Sequence, residues 1–391
     1  MKIGLVTFQR AHNYGAQFQA YALQKFLHDQ GHDIEFVDYW PDYRKGMYDL
    51  VDLSALGSAM RPHRKLLATA KSLTKLGLTY PWKKQRRDRF EGFMDTRLNI
   101  PENARVSCGT DIPSHYDAYV FGSDQIWRYN KFNTYTGYDS VYWGKYPENS
   151  SALKITYAAS MGVIPSGSQN NEFISKHLRN FAAISVREKS LRKLIAPLTD
   201  KPVHQVLDPA FLLEREQWSQ IARQDLELPE RFVLLYNLNK SPLAKRLADG
   251  VASRMGCEVI EVNSEVAPLK FSRRFFNTAG PAEFLALFSQ ASYVVSTSFH
   301  GVVFSLIYRK EFQALGLGAN ATRVTDLLAD LGIDGRYAAA GEENLEPDLK
   351  QPLAYPRIQR KLDALRQQSI DFLEASLNAG PKAQPRLAVG S

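Results

Sequence analysis

The stretch Ala291–Gly301, which reads ASYVVSTSFHG, decides the fold of this 391-residue chain. A short apolar run ends in small hydroxyl residues, a histidine and a glycine, and a second apolar run follows at 302–307. This order predicts a buried strand, a tight turn and a buried helix. Ligands of open α/β sheets bind beyond the carboxyl ends of the strands, where helix N-termini present free N–H groups. We therefore expect His300, a side chain suited to proton transfer, at a binding site; the alternative is a capping or packing histidine.

Length and composition indicate a globular chain of two domains, with 44% hydrophobic, 23% charged and 12% aromatic residues. No apolar run reaches the roughly 18 residues that a membrane span needs. Met1-Lys2 leads directly into an apolar segment, which we interpret as a first strand rather than a signal peptide. Cys108 and Cys257 lie far apart without metal-binding or redox spacing, as expected for a protein of the reducing cytoplasm.

Strand-like and helix-like segments alternate along most of the chain, which is typical of α/β folds with mainly parallel sheets. The predicted strands are 3–8, 34–39, 118–121, 155–160, 183–186, 203–207, 232–236, 258–262, 291–295 and 312–315. The predicted helices include 16–30, 170–181, 214–223, 244–255, 282–289, 322–331 and 353–377. The two halves repeat one order of elements, so we predict two Rossmann-like domains that face each other across a cleft. Their expected bounds are 1–210 and 211–350, followed by a long helix at 351–378 and a mobile tail at 379–391.

The formal charge of +8 is concentrated in one segment, 61–89, which holds ten Lys or Arg residues against the single acid Asp88. Leucines recur in it at roughly helical spacing, so we predict a basic amphipathic hairpin within a helical insert at about 45–98. The segment is either a solvated face or a surface for an anionic partner, which would be a bilayer leaflet or an acidic glycan. No nucleic-acid-binding motif accompanies the charge, so we expect no nucleic-acid partner.

A polar loop at the end of the first strand carries Asn13, Tyr14 and Gly15 and opens a helix that includes Gln19. Loop amides at the N-terminus of a helix form a corner that binds anions or hydroxyl groups. The alternative is that Asn13 only caps the helix.

The segment Gly122–Trp127, GSDQIW, presents several polar side chains at the end of a predicted buried strand. Asp124 could accept a proton from a sugar hydroxyl, and Gln125, next to Ser123, could hydrogen-bond a neighbouring one. The Trp127 ring could stack on a sugar. The alternative is a buried capping aspartate beside a core tryptophan.

Charged side chains follow two further elements of the predicted fold. Arg187, at the end of strand 183–186, could bind a carboxylate or phosphate in the forked geometry that lysine cannot match; a structural pair with Glu188 or another acid is the alternative. Arg323 lies in the first turn of helix 322–331 and faces the same region if the sheet is parallel. No spacing of His, Cys, Asp or Glu predicts a metal site.

Seven segments in order make the chain resemble the polysaccharide pyruvyl transferase family, over residues 1 to about 335. They are NYGAQFQAYAL at 13–23, GSDQIW at 122–127, YAASMG at 157–162, SVRE at 185–188, VLDPAFLL at 206–213, STSFHG at 296–301 and TRVTDLL at 322–328. The resemblance implies a GT-B-like fold whose first domain binds the acceptor and whose second binds the donor. It also implies transfer of the pyruvyl group of phosphoenolpyruvate to sugar hydroxyls as a ketal, with release of phosphate.

The resemblance also implies roles for the residues already named. His300 would be the donor-site acid or phosphate partner, and Asp124 the base or acceptor-binding carboxylate. The other donor-binding residues would be Arg187, Ser298, Gly301 and Arg323. The acceptor-binding residues would be Asn13, Tyr14, Gly15, Gln19, Ser123, Gln125 and Trp127. The acceptor would be a lipid-linked or soluble oligosaccharide precursor of a surface polysaccharide, with no cofactor besides phosphoenolpyruvate as co-substrate.

The chain departs from the family in one motif. Characterised members are often Arg-Leu-His where this chain has Ser298-Phe299-His300. Either Arg323, Arg187 or a basic side chain of the first domain replaces that arginine, or the donor differs. Two other functions therefore stay open, a GT-B glycosyltransferase that uses a nucleotide sugar and a non-catalytic member that binds a glycan or an anion.

Overall fold

A computed structural model describes residues 1–50, 62–163, 170–263, 275–276, 278–316, 318, 321–339 and 351–380, with the backbone alone for 62–76. The predicted tail at 379–391 lies outside the described residues from residue 381 onward. The described part contains no helix long and apolar enough to span a bilayer.

The first half of the chain folds around a parallel sheet. Its elements are β1 (Lys2–Val6), α1 (Tyr14–Asp29), β2 (Asp33–Phe36), α2 (Pro62–Arg97), β3 (Ala118–Phe121), β4 (Asn130–Phe132), β5 (Tyr135–Gly137), β6 (Leu153–Thr156), α3 (Asn171–Leu178), β7 (Ile184–Val186), α4 (Lys189–Ile195) and β8 (Val203–Gln205). The sheet order is β2-β1-β3-β6, and β7 pairs in parallel with β8. Isolated bridges join β6 and the loop after it to the strand that contains β7. The short hairpin β4–β5 was not predicted.

The second half of the chain also folds around a parallel sheet. Its elements are α5 (Arg215–Gln220), β9 (Phe232–Tyr236), α6 (Pro242–Met255), β10 (Glu258–Val262), α7 (Pro281–Gln290), β11 (Tyr293–Ser296), α8 (Phe299–Ile307), β12 (Phe312–Leu315), α9 (Ala321–Leu331), β13 (Tyr337–Ala338) and α10 (Tyr355–Asn378). The strands are parallel, in the order β10-β9-β11-β12-β13. The predicted fold class, two Rossmann-like domains with parallel sheets and a long C-terminal helix, is confirmed.

The boundaries of several predicted elements shift for local reasons. The strand expected at 155–160 ends at Thr156 because the backbone turns at Ala158, whose φ is +51°. The helix expected at 16–30 begins at Tyr14, after an N-cap in which the Asn13 side chain accepts from the Ala16 amide at 3.3 Å. It ends as predicted before Gly31, which has a φ of +86°.

The predicted basic hairpin is wrong, because the segment forms the single helix α2. Three residues that disfavour a helix, Gly77, Pro81 and Gly92, all lie inside it. Some of its positive charge serves contacts within the protein. The side chain of Arg86 donates to the backbone carbonyl of Asn263, and Arg89 donates to that of Thr278, both beyond the first domain. α2 thus belongs to the first domain and is hydrogen-bonded to the second.

The domains share one hydrophobic core on the side of α1. The Phe18 ring on α1 lies 4.8 Å from Phe304 and 5.4 Å from Phe284, which belong to the second domain, and 5.5 Å from Trp218. All four side chains are fully buried. This aromatic cluster holds the carboxyl edges of the two sheets opposite each other.

The C-terminal helix α10 links the two domains a second time. At its start, the Tyr355 hydroxyl donates to the carbonyl of Lys310 in the second domain. Further along, the Ser369 hydroxyl accepts from the amide of Leu207 in the first domain at 2.9 Å. The relative position of the domains is therefore fixed by α1, α2 and α10 together.

Candidate functional site

Four charged side chains that follow strand ends or begin a helix meet between the domains. Arg187 follows β7, and its Nη1 lies 2.5 Å from an Asp208 carboxylate oxygen. The same oxygen lies 3.5 Å from Nε2 of His300, in the first turn of α8. Glu188 lies 3.6 Å from Nε of Arg187. The structure therefore brings together His300 and Arg187, which were predicted, with Asp208 and Glu188, which were not assigned to the site.

All four side chains are almost completely removed from solvent. Electrostatic interactions among them are therefore stronger than they would be in water. Burial raises the pKa of Glu188 even though Arg187 opposes the shift. For Asp208 the same burial is outweighed by its interactions with His300 and Arg187, which hold its pKa below the usual range. In the described part of the chain no group of three or more His, Cys, Asp or Glu side chains could hold a metal ion.

Several polar atoms of the cluster are buried without a hydrogen-bond partner among the described residues. Two of them are Nη2 of Arg187 and Oε2 of Glu188. The other three face a carboxylate only at ion-pair distance: Nε of Arg187 at 3.6 Å and Nε of Arg323 at 4.0 Å from Glu188, and Nε2 of His300 at 3.5 Å from Asp208. Buried donors are normally paired, so an unpaired set calls for a ligand or water. Most of these atoms belong to cationic or donor groups, and the complementary ligand is an anion.

Phe299 organises the two arginines. Its ring centroid lies 4.9 Å from the Arg187 guanidinium carbon and 5.5 Å from that of Arg323. Contact with an aromatic face orients a guanidinium and leaves the N–H groups at its edge free. Burial, followed by repulsion from Arg187, lowers the pKa of Arg323 to about 10, so Arg323 stays charged at neutral pH.

A cleft of about 1880 Å³ opens next to the cluster and gives it access to solvent. The cleft lies between β7, β8, α9 and α10, and Arg187, Asp208, Phe299 and Arg323 are among the residues that line it. Lys189 and Asp330 form an ion pair along the same cleft. A small anionic molecule can therefore reach the unpaired donors.

The first domain contributes backbone to the site through Gly15. A Cβ atom on this residue would lie 2.1 Å from Nδ1 of His300, so only glycine allows the start of α1 to approach the imidazole this closely. Gly301 is small for a packing reason, since its Cβ would lie 2.0 Å from the Ser296 hydroxyl oxygen. Ser298 is buried at the N-cap of α8, and its backbone N–H donates to the Ser296 hydroxyl at 3.0 Å. Gly15 and Gly301 thus shape the surroundings of His300 by their small size.

Asp124 belongs to the first domain, in the loop that follows β3. It is half-buried after β3, with a φ of +69°. Its carboxylate is within electrostatic range of Arg187 and Arg323 and also of Arg128 and Tyr48. Asp124 thus interacts with arginines at two places, those of the cluster and Arg128.

The predicted stacking of Trp127 on a sugar is corrected by the structure. The side chain is 0% exposed, stacks on Trp143 with 4.4 Å between ring centroids, and donates its indole N–H to the Tyr142 carbonyl at 2.9 Å. Its apolar ring gains more from the core than from the loop surface. The alternative of a core tryptophan is the one observed.

Three other predicted acceptor residues are also buried in internal contacts. The Tyr14 hydroxyl donates to the carbonyl of Ala279 in the second domain at 2.7 Å. Gln19 donates to the Thr7 hydroxyl and accepts from the backbone amide of Ser123. The Ser123 hydroxyl donates to a backbone carbonyl. These residues position the loops of the site, and their side chains are not available to a sugar.

Asn13 and Gln125 remain accessible. Asn13 is exposed and caps α1, which was its alternative interpretation. Gln125 is half-buried and packs against Gly162, whose Cβ would lie 2.6 Å from the amide carbon of Gln125. Of the predicted acceptor side chains, these two border open space.

The sequence contained a signal for the acids that the prediction missed. Asp208 directly follows a predicted strand and precedes Pro209, and it satisfies the same strand-end rule that selected Arg187. Glu188 was considered only as a partner of Arg187. It also accepts a 2.5 Å hydrogen bond from the hydroxyl of Ser160, which lies in the segment YAASMG and was not predicted to belong to the site.

Comparison with protein families gives one result that covers most of the chain. A family model described as polysaccharide pyruvyl transferase matches residues 13–317. The matched range includes all four residues of the cluster, Arg187, Glu188, Asp208 and His300, but it ends before Arg323. No curated protein matches the chain in sequence.

Solved structures give distant similarities. The glycosyltransferase SnogD from Streptomyces nogalater is 10% identical, with a TM-score of 0.39 over 97% of this chain and 98% of that one. The UDP-GlcNAc 2-epimerase from Methanocaldococcus jannaschii is 9% identical, with a TM-score of 0.44 over 97% and 100%. The ADP-heptose LPS heptosyltransferase II from E. coli is 12% identical, with a TM-score of 0.36 over 95% and 100%. At these values the similarities carry no functional argument.

Proposed function

The chain belongs to the polysaccharide pyruvyl transferase family, and we propose that it transfers the pyruvyl group of phosphoenolpyruvate to two hydroxyls of a sugar in a polysaccharide precursor. The observation that carries the proposal is the set of unpaired N–H donors on buried Arg187, Arg323 and His300. Phosphoenolpyruvate carries a carboxylate and a phosphate, which are the groups that guanidinium edges bind best.

Arg323 would take the place of the arginine that characterised family members often carry two positions before the histidine. It is close to Arg187 in space, and the two guanidiniums share the Phe299 ring. Phe299 itself occupies the middle position of the altered motif. The change from Arg-Leu-His to Ser-Phe-His would therefore move one donor-binding cation from α8 to α9 while an aromatic ring keeps it in place.

The remaining groups fit the proton transfers of the reaction. The enol methylene of the donor gains a proton and becomes a methyl group, which leaves an oxocarbenium-like centre at C2. One sugar hydroxyl adds to C2 and loses its proton, the C–O bond to phosphate breaks, and the second hydroxyl adds and loses its proton. One of these protons replaces the proton spent on the methylene, and the other leaves with the phosphate.

We assign the acid role to His300 and the base role to Asp124. His300 lies 3.5 Å from the Asp208 carboxylate, which orients its ring. Asp124 lies on the side of the first domain, where the acceptor would approach, and can accept the proton of the attacking hydroxyl. The oxocarbenium-like centre would form between Glu188, Asp208 and Asp124, whose negative field stabilises it.

Calorimetric titration with phosphoenolpyruvate tests the donor assignment. We expect saturable binding to the wild type and roughly 10- to 100-fold weaker binding to Arg323→Gln, because a charge-assisted hydrogen bond is lost. Lys189→Gln is the matched control, since it removes a half-exposed cation of the same cleft that is paired with Asp330. Absence of binding to the wild type, or binding of a nucleotide sugar in its place, would contradict the proposal.

A further inference from the structure

Two arginines of the first domain share the ring of Phe8 in the same way that Arg187 and Arg323 share Phe299. The guanidinium carbon of Arg44 lies 3.8 Å from the Phe8 ring centroid, and that of Arg128 lies 5.8 Å from it. Arg44 is only 3% exposed, and Arg128 is half-buried. The fold therefore holds two like charges close together and largely out of water.

Neither guanidinium is neutralised within the part of the chain that the structure describes. Nε of Arg44 is buried without a hydrogen-bond partner. Arg128 uses its Nε on the side-chain oxygen of Asn130 at 3.0 Å, which leaves its two outer nitrogens without a protein acceptor among the described residues. Arg10, on the same loop as Phe8, shows the contrast, since it makes two bonds of 2.8 and 2.9 Å to the carboxylate of Asp38.

The nearby acids do not pair with these arginines. Asp139 lies close to Arg44, but its oxygens accept from the hydroxyls of Tyr39 and Tyr43 at 3.0 and 2.6 Å and from a backbone amide. Asp124 is within electrostatic range of Arg128 without forming an ion pair. Burial, and next the charge of Arg44, lower the pKa of Arg128, as expected for cations that lack a bound anion.

The location of the pair relates it to the proposed reaction. Phe8 follows β1, Arg44 lies in the segment after β2, and Arg128 lies in the segment after β3. The carboxyl ends of these parallel strands form one edge of the first sheet, the edge that also carries Asp124. Asp124 interacts electrostatically with Arg128 and also with the Arg187–Arg323 pair, so the Arg44–Arg128 pair lies near the proposed base.

We propose that Arg44 and Arg128 form an oxyanion-binding subsite for the acceptor, which would be a sugar that carries a phosphate or a carboxylate. This inference rests on the proposed function, because it assigns the first domain to the acceptor. Both guanidiniums lie over the Phe8 ring, and that of Arg128 also lies 5.4 Å from the ring centroid of Phe132, so that their N–H groups would bind the oxyanion. The ring of Tyr48, stacked on His12 with 4.5 Å between centroids, offers an aromatic surface next to Asp124 for the sugar.

Calorimetry with three small sugars at fixed ionic strength tests the subsite. The probes are glucose 1-phosphate, glucuronate and uncharged glucose, and the variants are Arg44→Gln and Arg128→Gln. We expect an acidic sugar to bind the wild type more tightly than glucose, and each variant to weaken that binding roughly 10- to 100-fold. The acidic sugar that loses more affinity shows whether the subsite prefers a phosphate or a carboxylate. Affinity for phosphoenolpyruvate should not change in either variant.

Two control variants check that the effect belongs to this pair of arginines. Arg105→Gln removes a charge from the same domain at a side chain that is 55% exposed and 3.5 Å from Asp38, so it should leave acidic-sugar binding unchanged. Arg323→Gln should weaken the binding of phosphoenolpyruvate alone. Because Arg44 is buried among aromatic rings, its substitution can disturb folding; the partly exposed Arg128→Gln then decides, with its melting temperature as the check on folding.

The outcomes distinguish the two proposals. If acidic sugars bind no better than glucose, or if Arg105→Gln or Arg323→Gln weakens them as much as Arg128→Gln does, the acceptor subsite is wrong. If acidic sugars depend on Arg44 and Arg128 while phosphoenolpyruvate does not bind, the subsite stands and the proposed donor is wrong.

Discussion

Replacing Gly15 by alanine tests the contact on which the whole site depends. The added Cβ would lie 2.1 Å from Nδ1 of His300, 2.3 Å from Cε1 and 2.7 Å from Cγ, whereas ordinary contacts are 3.4 Å or longer. The imidazole must therefore move by roughly 1 Å, away from Asp208 or together with α8. Overpacking of this kind costs about 1–3 kcal/mol, which lowers the melting temperature by about 2–12 °C for a domain of this size.

The displacement of His300 in Gly15→Ala should also weaken the binding of the donor. A histidine that has lost its position cannot keep a charge-assisted hydrogen bond, so affinity for phosphoenolpyruvate should fall by roughly 10-fold or more. Scanning calorimetry and titration calorimetry measure the two effects separately, and the first does not depend on the identity of the donor. Both should be recorded on the same preparation.

Gly92→Ala is the matched control for Gly15→Ala. It is also a glycine-to-alanine change within a helix, but its Cβ would meet nothing within 4 Å. It should leave donor affinity unchanged and stabilise α2 by up to about 1 kcal/mol. If Gly15→Ala melts and binds like this control, α1 does not touch His300 and the site as described is wrong.

Two further predictions concern buried charge. Burial lowers the pKa of His12 to about 4. Between pH 6.5 and 4, His12 is therefore protonated in the unfolded chain and neutral in the folded chain. Wild type should therefore lose roughly 1–3 kcal/mol relative to His12→Phe as the pH falls through this window, measured by denaturant unfolding at both ends; equal losses in the two proteins would exclude the assignment. Asp208→Asn should cost about 3–5 kcal/mol because it leaves Arg187 buried beside a neutral amide, and added phosphate should restore part of the lost melting temperature. An unchanged melting temperature would show that the pair is not buried as described.

Much of the site could be predicted because one rule selects it. Parallel strands end at one edge of a sheet, so charged residues that directly follow buried apolar runs collect there. This rule placed Arg187 and Asp124 correctly at strand ends, and the apolar run before His300 did the same for the second domain. It applied equally to Asp208, which the prediction overlooked.

The directions of side chains could not be predicted in the same way. Trp127 lies three residues after Asp124, and the path of the loop, including the positive φ of Asp124, decides which of them faces the core. The pairing of Asp208 with His300 joins residues 92 positions apart and depends on how the domains dock. That docking arises from the cluster around Phe18, whose contacts a local pattern does not reveal.

Aromatic rings can hold buried arginines in place without occupying the N–H groups that would bind an anion. A carboxylate that holds a guanidinium cancels its charge, whereas a ring face leaves both the charge and the N–H edge available. Arg187 has both kinds of partner, Asp208 and Phe299. The chain uses a ring twice at the mouths of its two sheets, with Phe299 between Arg187 and Arg323 and with Phe8 beside Arg44 and Arg128. Asp124 interacts with an arginine of each pair. In the ketal transfer that we propose, this arrangement would hold the anionic groups of the donor and the acceptor apart while C2 of the donor and the sugar hydroxyl meet beside Asp124.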